Sequence, residues 1–226
     1  MWRALQSFPV SIQKPVTAES REFQERSTEL IESGRFLHSR GWVPATSGNF
    51  SARLSDNSIA ITVSGEHKGY LTESDIMRVD LDGNSLDGKL PSAETLLHTA
   101  LYKRFPNVNA VLHPHTANSV LASRVFQNEV ILKDHELVKI FPGIKTHEST
   151  LTLPIFPNDQ DIARLAWQVL RYLNTSDRDA DACPGFIISG HGFYSWGDSV
   201  QNALNHLEAL EFLLDIEVRL RGLTKQ

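Results

Sequence analysis

Between Thr17 and Arg221 the apolar residues repeatedly change period, from the three-to-four spacing of a helix to the two-residue alternation of a strand and back. Gly, Asn, Asp and Pro mark the joints. This order argues for an α/β chain with one mixed sheet covered by helices. Thr17–Arg40 reads as a helix with Phe23, Leu30, Ile31 and Leu37 on one side, ending at Gly41. The following stretch, from Trp42 to Gly65, suggests short strands joined by tight turns, and Met77–Gly83 a further strand ending in a DG turn. Ser92 is placed to N-cap a helix running to Phe105. Val108–His115 alternates like a strand, Thr116 caps a helix through Phe126, and Asp134–Phe141 reads as a short helix or turn. Asn158 or Asp159 opens a strongly periodic helix carrying Ile162, Leu165, Ala166, Val169, Leu170 and Leu173. The strand Gly185–Ser189, a Gly-His-Gly turn and a long helix from about Asp198 to Arg221 complete the chain.

At 226 residues, with no repeat and no composition break, the chain suits one domain. Residues 1–15, with Pro9 and Pro15, read as a lead-in arm. Twenty-two basic against 27 acidic residues give a net charge of −5 and no cationic footprint for nucleic acid. No apolar run approaches the ~20 residues of a membrane helix, and the first residues lack the apolar core of a secretory leader. The lone Cys183 cannot form an intramolecular bridge. These features predict a soluble, cytoplasmic protein without nucleic-acid or membrane partners.

Two of the nine histidines stand in a strand-end pattern, His113-Pro114-His115. The period of two places both rings on one face, roughly 6.6 Å apart along the strand, from where they can tilt onto one ion at about 2.0–2.1 Å. Pro114 removes a backbone donor, which suits a strand terminus. His191 follows an apolar strand and lies between Gly190 and Gly192. Three neutral imidazoles with an open fourth position would form a catalytic metal site; two surface histidines and a turn histidine are the plainer alternative. Ser-Gly pairs at Thr46–Ser51 and Thr62–Gly69 put freed backbone amides, hydroxyls and Asn49 where they can ring an anion. Lys68 and the helix start at Ser92 would add positive potential, though ordinary turns explain each segment as well. Glu94 and Glu136 are the carboxylates best placed to move protons, or simply a helix-dipole complement and a solvated side chain.

Taken in order, SGNFS, TVSG, PSAE, HPH and GHG resemble the class II aldolase-like superfamily of zinc sugar-phosphate lyases and epimerases, from about Arg21 to Gly222. SGEHK, HELVK and HGFYSWG are similar to the superfamily's methylthioribulose-phosphate dehydratase branch. The resemblance implies a single-domain, three-layer fold, a central mixed, mainly antiparallel sheet flanked by helices. It divides the chain into an arm (1–20) and a catalytic domain (21–226). It implies one Zn²⁺ per subunit on His113, His115 and His191. Phosphate would be held by Ser47, Gly48, Asn49, Ser64, Gly65, Lys68 and Ser92, with catalytic carboxylates at Glu136 and Glu94. The implied substrate is a ketose phosphate, 5-methylthioribulose 1-phosphate, dehydrated in methionine salvage by a homotetramer whose site lies near a subunit interface. Ala93 stands where the aldolases carry a second serine, and the tail after Arg221 lacks the tyrosine that fuculose-phosphate aldolase uses as an acid. The first departure removes one phosphate hydroxyl, and the second weakens an aldol-cleavage reading. An aldolase or epimerase on another ketose phosphate, a non-catalytic assembly domain, and a His-His-carboxylate iron site remain the alternatives.

Overall fold

A computed structural model describes residues 18–175 and 184–223. Cys183, Trp2, Phe8 and nearly all of the expected arm lie outside them. Helix α1 (Ala18–Ser39) includes the last residues assigned to that arm. Gly41 closes it at φ +74°, with Gly41 N donating to His38 O and Trp42 N to Leu37 O, the left-handed helix end that glycine favours.

Eight strands form one sheet: β1 (Asn49–Arg53), β2 (Ile59–Thr62), β3 (Ile76–Val79), β4 (Ala110–His113), β5 (Glu129–Leu132), β6 (Leu151–Phe156), β7 (Gly185–Ile188) and β8 (Gly192–Gly197). Their order is β3-β2-β1-β4-β8-β7-β6-β5. Every pairing is antiparallel except β6 with β7, whose parallel register is joined by the crossover helix α4 (Ile162–Thr175). The sheet is therefore mixed and mainly antiparallel.

Alternation along the strands sorts side chains into two cores. Phe50, Leu112, Ile187 and Phe193 pack with Leu30 and Leu37 of α1 and with Leu207, Leu210 and Leu214 of α5 (Val200–Leu223). Val111, Phe186, Ile188 and Tyr194 pack on the other face with Leu97 and Leu101 of α2 (Thr95–Arg104) and Leu165 and Val169 of α4. Full burial of each such large side chain contributes about 1.5–3 kcal/mol, so three layers follow from two apolar sheet faces. No helix among the described residues is long and apolar enough to cross a membrane.

Two helix starts differ from expectation. Helix α2 begins at Thr95, because Thr95 N donates to Ser92 O in a tighter three-residue turn, and Ser92 Oγ accepts only the Glu94 amide, at 3.3 Å. At α4 the capping acceptor is Asp161, which takes the Arg164 amide at 3.0 Å, while Asp159 accepts from Asp161 N just before it. Thr116 caps α3 (Ala117–Val125) as expected, accepting from Ser119 N.

Glu211 of α5 is 4 % exposed and its carboxylate accepts from Asn118 Nδ2 at 2.9 Å. Burial pushes its carboxyl up to about 7 against the pull of Thr116 and Asn118, with Asp215 adding to the rise. A raised folded-state pKa means stability fully present below the ordinary value of 4.5 and lost as pH climbs through about 7. Glu211→Gln is expected to remove a penalty on the order of 2–3 kcal/mol at pH 8 and to change little at pH 4. Thermal unfolding of both proteins at the two pH values checks this; equal gains at both would contradict it.

Candidate metal centre

Three strand ends and one helix start converge on the α2 side of the sheet. His113 is the last residue of β4 and pairs with Asn49 at the start of β1. His115 follows Pro114 and is tied back by its amide, which donates to Trp42 O at 2.9 Å. His191 sits in the turn from β7 to β8, its amide donating to Ile188 O. Gly192 lets β8 pass close beneath: a Cβ there would lie 2.3 Å from Pro114 O and 3.1 Å from His115 Cδ2. Glu94 stands at the N-cap of α2 with its side chain 14 % exposed.

The structure brings together His113, His115, His191 and Glu94, whose ligand atoms all lie within 4.8 Å of one another. The Nε2 atoms are 3.0 Å apart for His115–His113 and His115–His191 and 3.4 Å apart for His113–His191. Glu94 Oε1 is 3.1 Å from His191 Nε2, and its Oε2 is 3.6 Å from His113 Nε2. A tetrahedral ion with bonds of about 2.0–2.1 Å has ligand–ligand edges of about 3.3 Å, so the set fits a divalent metal.

His113 Nδ1 donates to Phe193 O at 2.8 Å, which leaves the Nε2 lone pair aimed into the cluster. His191 Nδ1 is buried without a hydrogen-bond partner among the described residues. Burial is the main reason that His113 falls to about 4 and His115 to about 3; both rings are therefore neutral, as ligands must be. Burial alone would raise Glu94, but His113, His191 and Asn49 outweigh it and hold the carboxyl far below the ordinary range. A carboxylate among three inward-facing nitrogens is a donor set suited to a divalent cation.

Behind the cluster runs a buried polar chain that the sequence reading missed. Asn49 Nδ2 donates to Glu94 Oε2, Asn49 Oδ1 meets His98 Nε2, His98 Nδ1 lies 2.7 Å from Ser51 Oγ, and Ser51 Oγ lies 2.8 Å from Tyr102 OH. The Tyr194 ring stacks on His113 at 4.1 Å and on Phe186 at 4.8 Å. Two of these residues had legible spacings. His98 lies four residues after Glu94 on a helix, and Ser51 two after Asn49 on a strand, so each pair shares a face.

The expected anion loops are neighbours. An isolated bridge joins Val63 to Pro91, and Ser64 N donates to Leu90 O, which sets Ser64 and Gly65 beside Ser92. Lys68 is 1 % exposed, and its Nζ donates to Thr46 O at 3.1 Å and to Glu66 O, bracing the loop that carries Ser47 and Gly48 against the loop that carries Ser64 and Gly65. Ser47 Oγ is buried without a partner among the described residues. Glu136 stands apart, on a 3₁₀ turn (Glu136–Ile140) between β5 and β6. Its side chain is 72 % exposed and pairs with Lys139 and His147.

Residues 28–218 match the family model described as the class II aldolase and adducin N-terminal domain. A protein of Methylococcus capsulatus named methylthioribulose-1-phosphate dehydratase is 57 % identical over 204 residues, 90 % of this chain and 98 % of that protein. One of the same name from Pseudomonas syringae pv. syringae is 51 % identical over 88 % of this chain and 97 % of its own length. Among solved structures, YgbL of Escherichia coli superposes with a TM-score of 0.72 at 27 % identity, covering 87 % of this chain and 89 % of its own.

Proposed function

The chain belongs to the class II aldolase and adducin N-terminal domain family, and on that premise we propose that it is a zinc-dependent lyase that dehydrates 5-methylthioribulose 1-phosphate. The observation that carries this reading is the convergence of three imidazoles and Glu94 at one point beside two Ser-Gly loops, in a chain that matches full-length dehydratases at about half identity or better. Imidazole with carboxylate suits Zn²⁺, held by His113, His115 and His191, one per subunit. When bound, such an ion would supply a Lewis acid that stabilises the negative charge developing on the substrate as its proton is removed.

The chain's own groups do the rest. Backbone amides and polar side chains of Ser47, Gly48, Asn49, Ser64, Gly65 and Ser92, together with the positive charge of Lys68, hold the phosphate and so fix which carbon meets the base. Glu94 shapes the centre from the side. Glu136 takes the proton from C3 and returns one to the departing C4 hydroxyl; C3–H and C4–O break, water leaves, and the resulting enol becomes the 2,3-diketone by protonation at C4. Because Glu136 is exposed and, among the described residues, pairs with Lys139 and His147 of its own loop, it acts on the centre of a neighbouring copy in a homotetramer. We place this enzyme in the cytoplasm, in methionine salvage.

Metal-replete protein given 5-methylthioribulose 1-phosphate should form the diketone, followed by its absorbance, and should leave fuculose 1-phosphate uncleaved. Aldehyde release from the second compound, with the first untouched, would overturn the dehydratase reading in favour of an aldolase. Burial lowers Lys68 to about 8, so its charge is lost as pH rises through that value. The KM for the phosphate substrate is therefore expected to climb above about pH 8 and, in Lys68→Met, to be raised several-fold at pH 7 with the climb abolished. Steady-state kinetics from pH 6.5 to 9.5 check this at roughly half-unit steps.

A further inference from the structure

The buried chain behind the metal centre has a direction, and its two ends set it. At one end the Glu94 carboxylate can only accept, so Asn49 must present its NH₂, and Oδ1 is left facing His98 Nε2. At the other end Tyr102 is a fully buried phenol that burial keeps protonated, and the acceptor within reach of its proton is Ser51 Oγ. Ser51 in turn donates to His98 Nδ1, which leaves the imidazole's single proton on Nε2, pointing at Asn49 Oδ1. Burial also holds His98 at about 3, so no second proton blurs this order at working pH.

An asparagine amide is nearly symmetrical in shape, and either orientation would fill the same space. Reversed, it would set a carbonyl oxygen against the Glu94 carboxylate, in a buried site where like dipoles are costly. We propose that His98 is a positioning residue: its Nε2–H, held toward the site by Ser51 and Tyr102, fixes the Asn49 amide so that Nδ2–H clamps Glu94 beside the metal. His98 touches neither metal nor substrate; it acts through Asn49. This inference rests on reading the histidine cluster as a metal site.

The test uses the full chain. Nitrogen-15 spectra of the metal-free protein should show His98 protonated on Nε2 at neutral pH; protonation on Nδ1 would overturn the proposal outright. Zn²⁺ affinity is then measured by competition with a chromophoric chelator, without substrate. His98→Leu, which keeps the bulk and loses the donor, should weaken binding by about 10–100-fold, the usual cost of losing a group that orients a ligand. His98→Gln, whose amide can donate from near the Nε2 position, should recover most of that loss. Ser51→Ala, a smaller change that folds more safely, should release the tautomer and weaken Zn²⁺ binding by a lesser factor. Packing alone would impair the leucine and glutamine variants equally and leave Ser51→Ala unchanged, and that pattern contradicts the inference. If the parent binds Zn²⁺ and all three variants bind it alike, only this inference falls; if the parent itself binds none, the metal reading falls with it.

Discussion

His115→Ala should leave a folded chain that neither retains metal nor turns over substrate. His115 is the member of the cluster best suited to this test, because His113 is wholly buried in the β4 core whereas the His115 ring lies beyond the strand end and is only partly covered. Removing His113 would open a cavity as well as remove a ligand. Removing His115 takes one of three nitrogens from a site with 3.0–3.4 Å edges and leaves two imidazoles and a carboxylate. A Lewis acid worth several kcal/mol in the transition state, at 1.36 kcal/mol per tenfold, corresponds to a fall in kcat/KM on the order of 10³. Metal content should drop from about one ion per chain to near none, while the melting temperature of the metal-free protein moves little. Metal analysis, steady-state rates and thermal melts of one preparation decide it; retained metal with full turnover would remove His115 from the ligand set.

Glu136→Gln should be nearly as damaging to turnover, but with the opposite signature for metal. Loss of a general acid–base group costs about 10²–10⁴-fold, and an exposed carboxylate paired with Lys139 and His147 has no part in holding the ion, so metal content should stay at the parental level. Lys139 holds this carboxyl below its ordinary value, so the group is ionised and ready to accept a proton at neutral pH. The subunit argument sharpens the prediction. If Glu136 serves a neighbour's centre, mixing and reassembling the inactive His115→Ala and Glu136→Gln proteins creates hybrid sites with both groups intact, and about a quarter of the parental activity should return in an equal mixture. Activity that stays absent after exchange of subunits would mean that Glu136 does not act in trans; loss of metal in the single variant would make its role structural.

Helices were the most legible part of the fold. The apolar spacing around Leu30 and Leu37, with Gly41 as a stop, locates the C-terminal end of α1 to within a residue, and the stripe from Ile162 to Leu173 marks α4. Strands were legible where alternation meets clear turn residues, as in β1, β2 and β4. Three were not. Pro154 interrupts β6, and β5 is four residues long with Ile131 exposed, so neither carries a run that stands apart from a loop. β8, between two glycines and rich in aromatic residues, reads locally as the continuation of a turn. The site divides in the same way. His113 and His115 share a face by local spacing, but His191 joins them only through the pairing of β4 with β8, a contact some eighty residues long in sequence that no local rule supplies. His98 and Ser51 had local signatures relative to Glu94 and Asn49, yet a histidine on an otherwise apolar helix face looks like any satisfied core residue until its partners are seen.

The central claim is that two imidazoles at the end of β4 and a third from the turn between β7 and β8 share a single ion, and crystallographic anomalous scattering above and below the zinc edge tests it most directly. The account predicts one peak per chain, at about 2.0–2.1 Å from Nε2 of His113, His115 and His191 together. A metal-replete crystal with no peak at that point, or with its ion bound elsewhere on the chain, would contradict it.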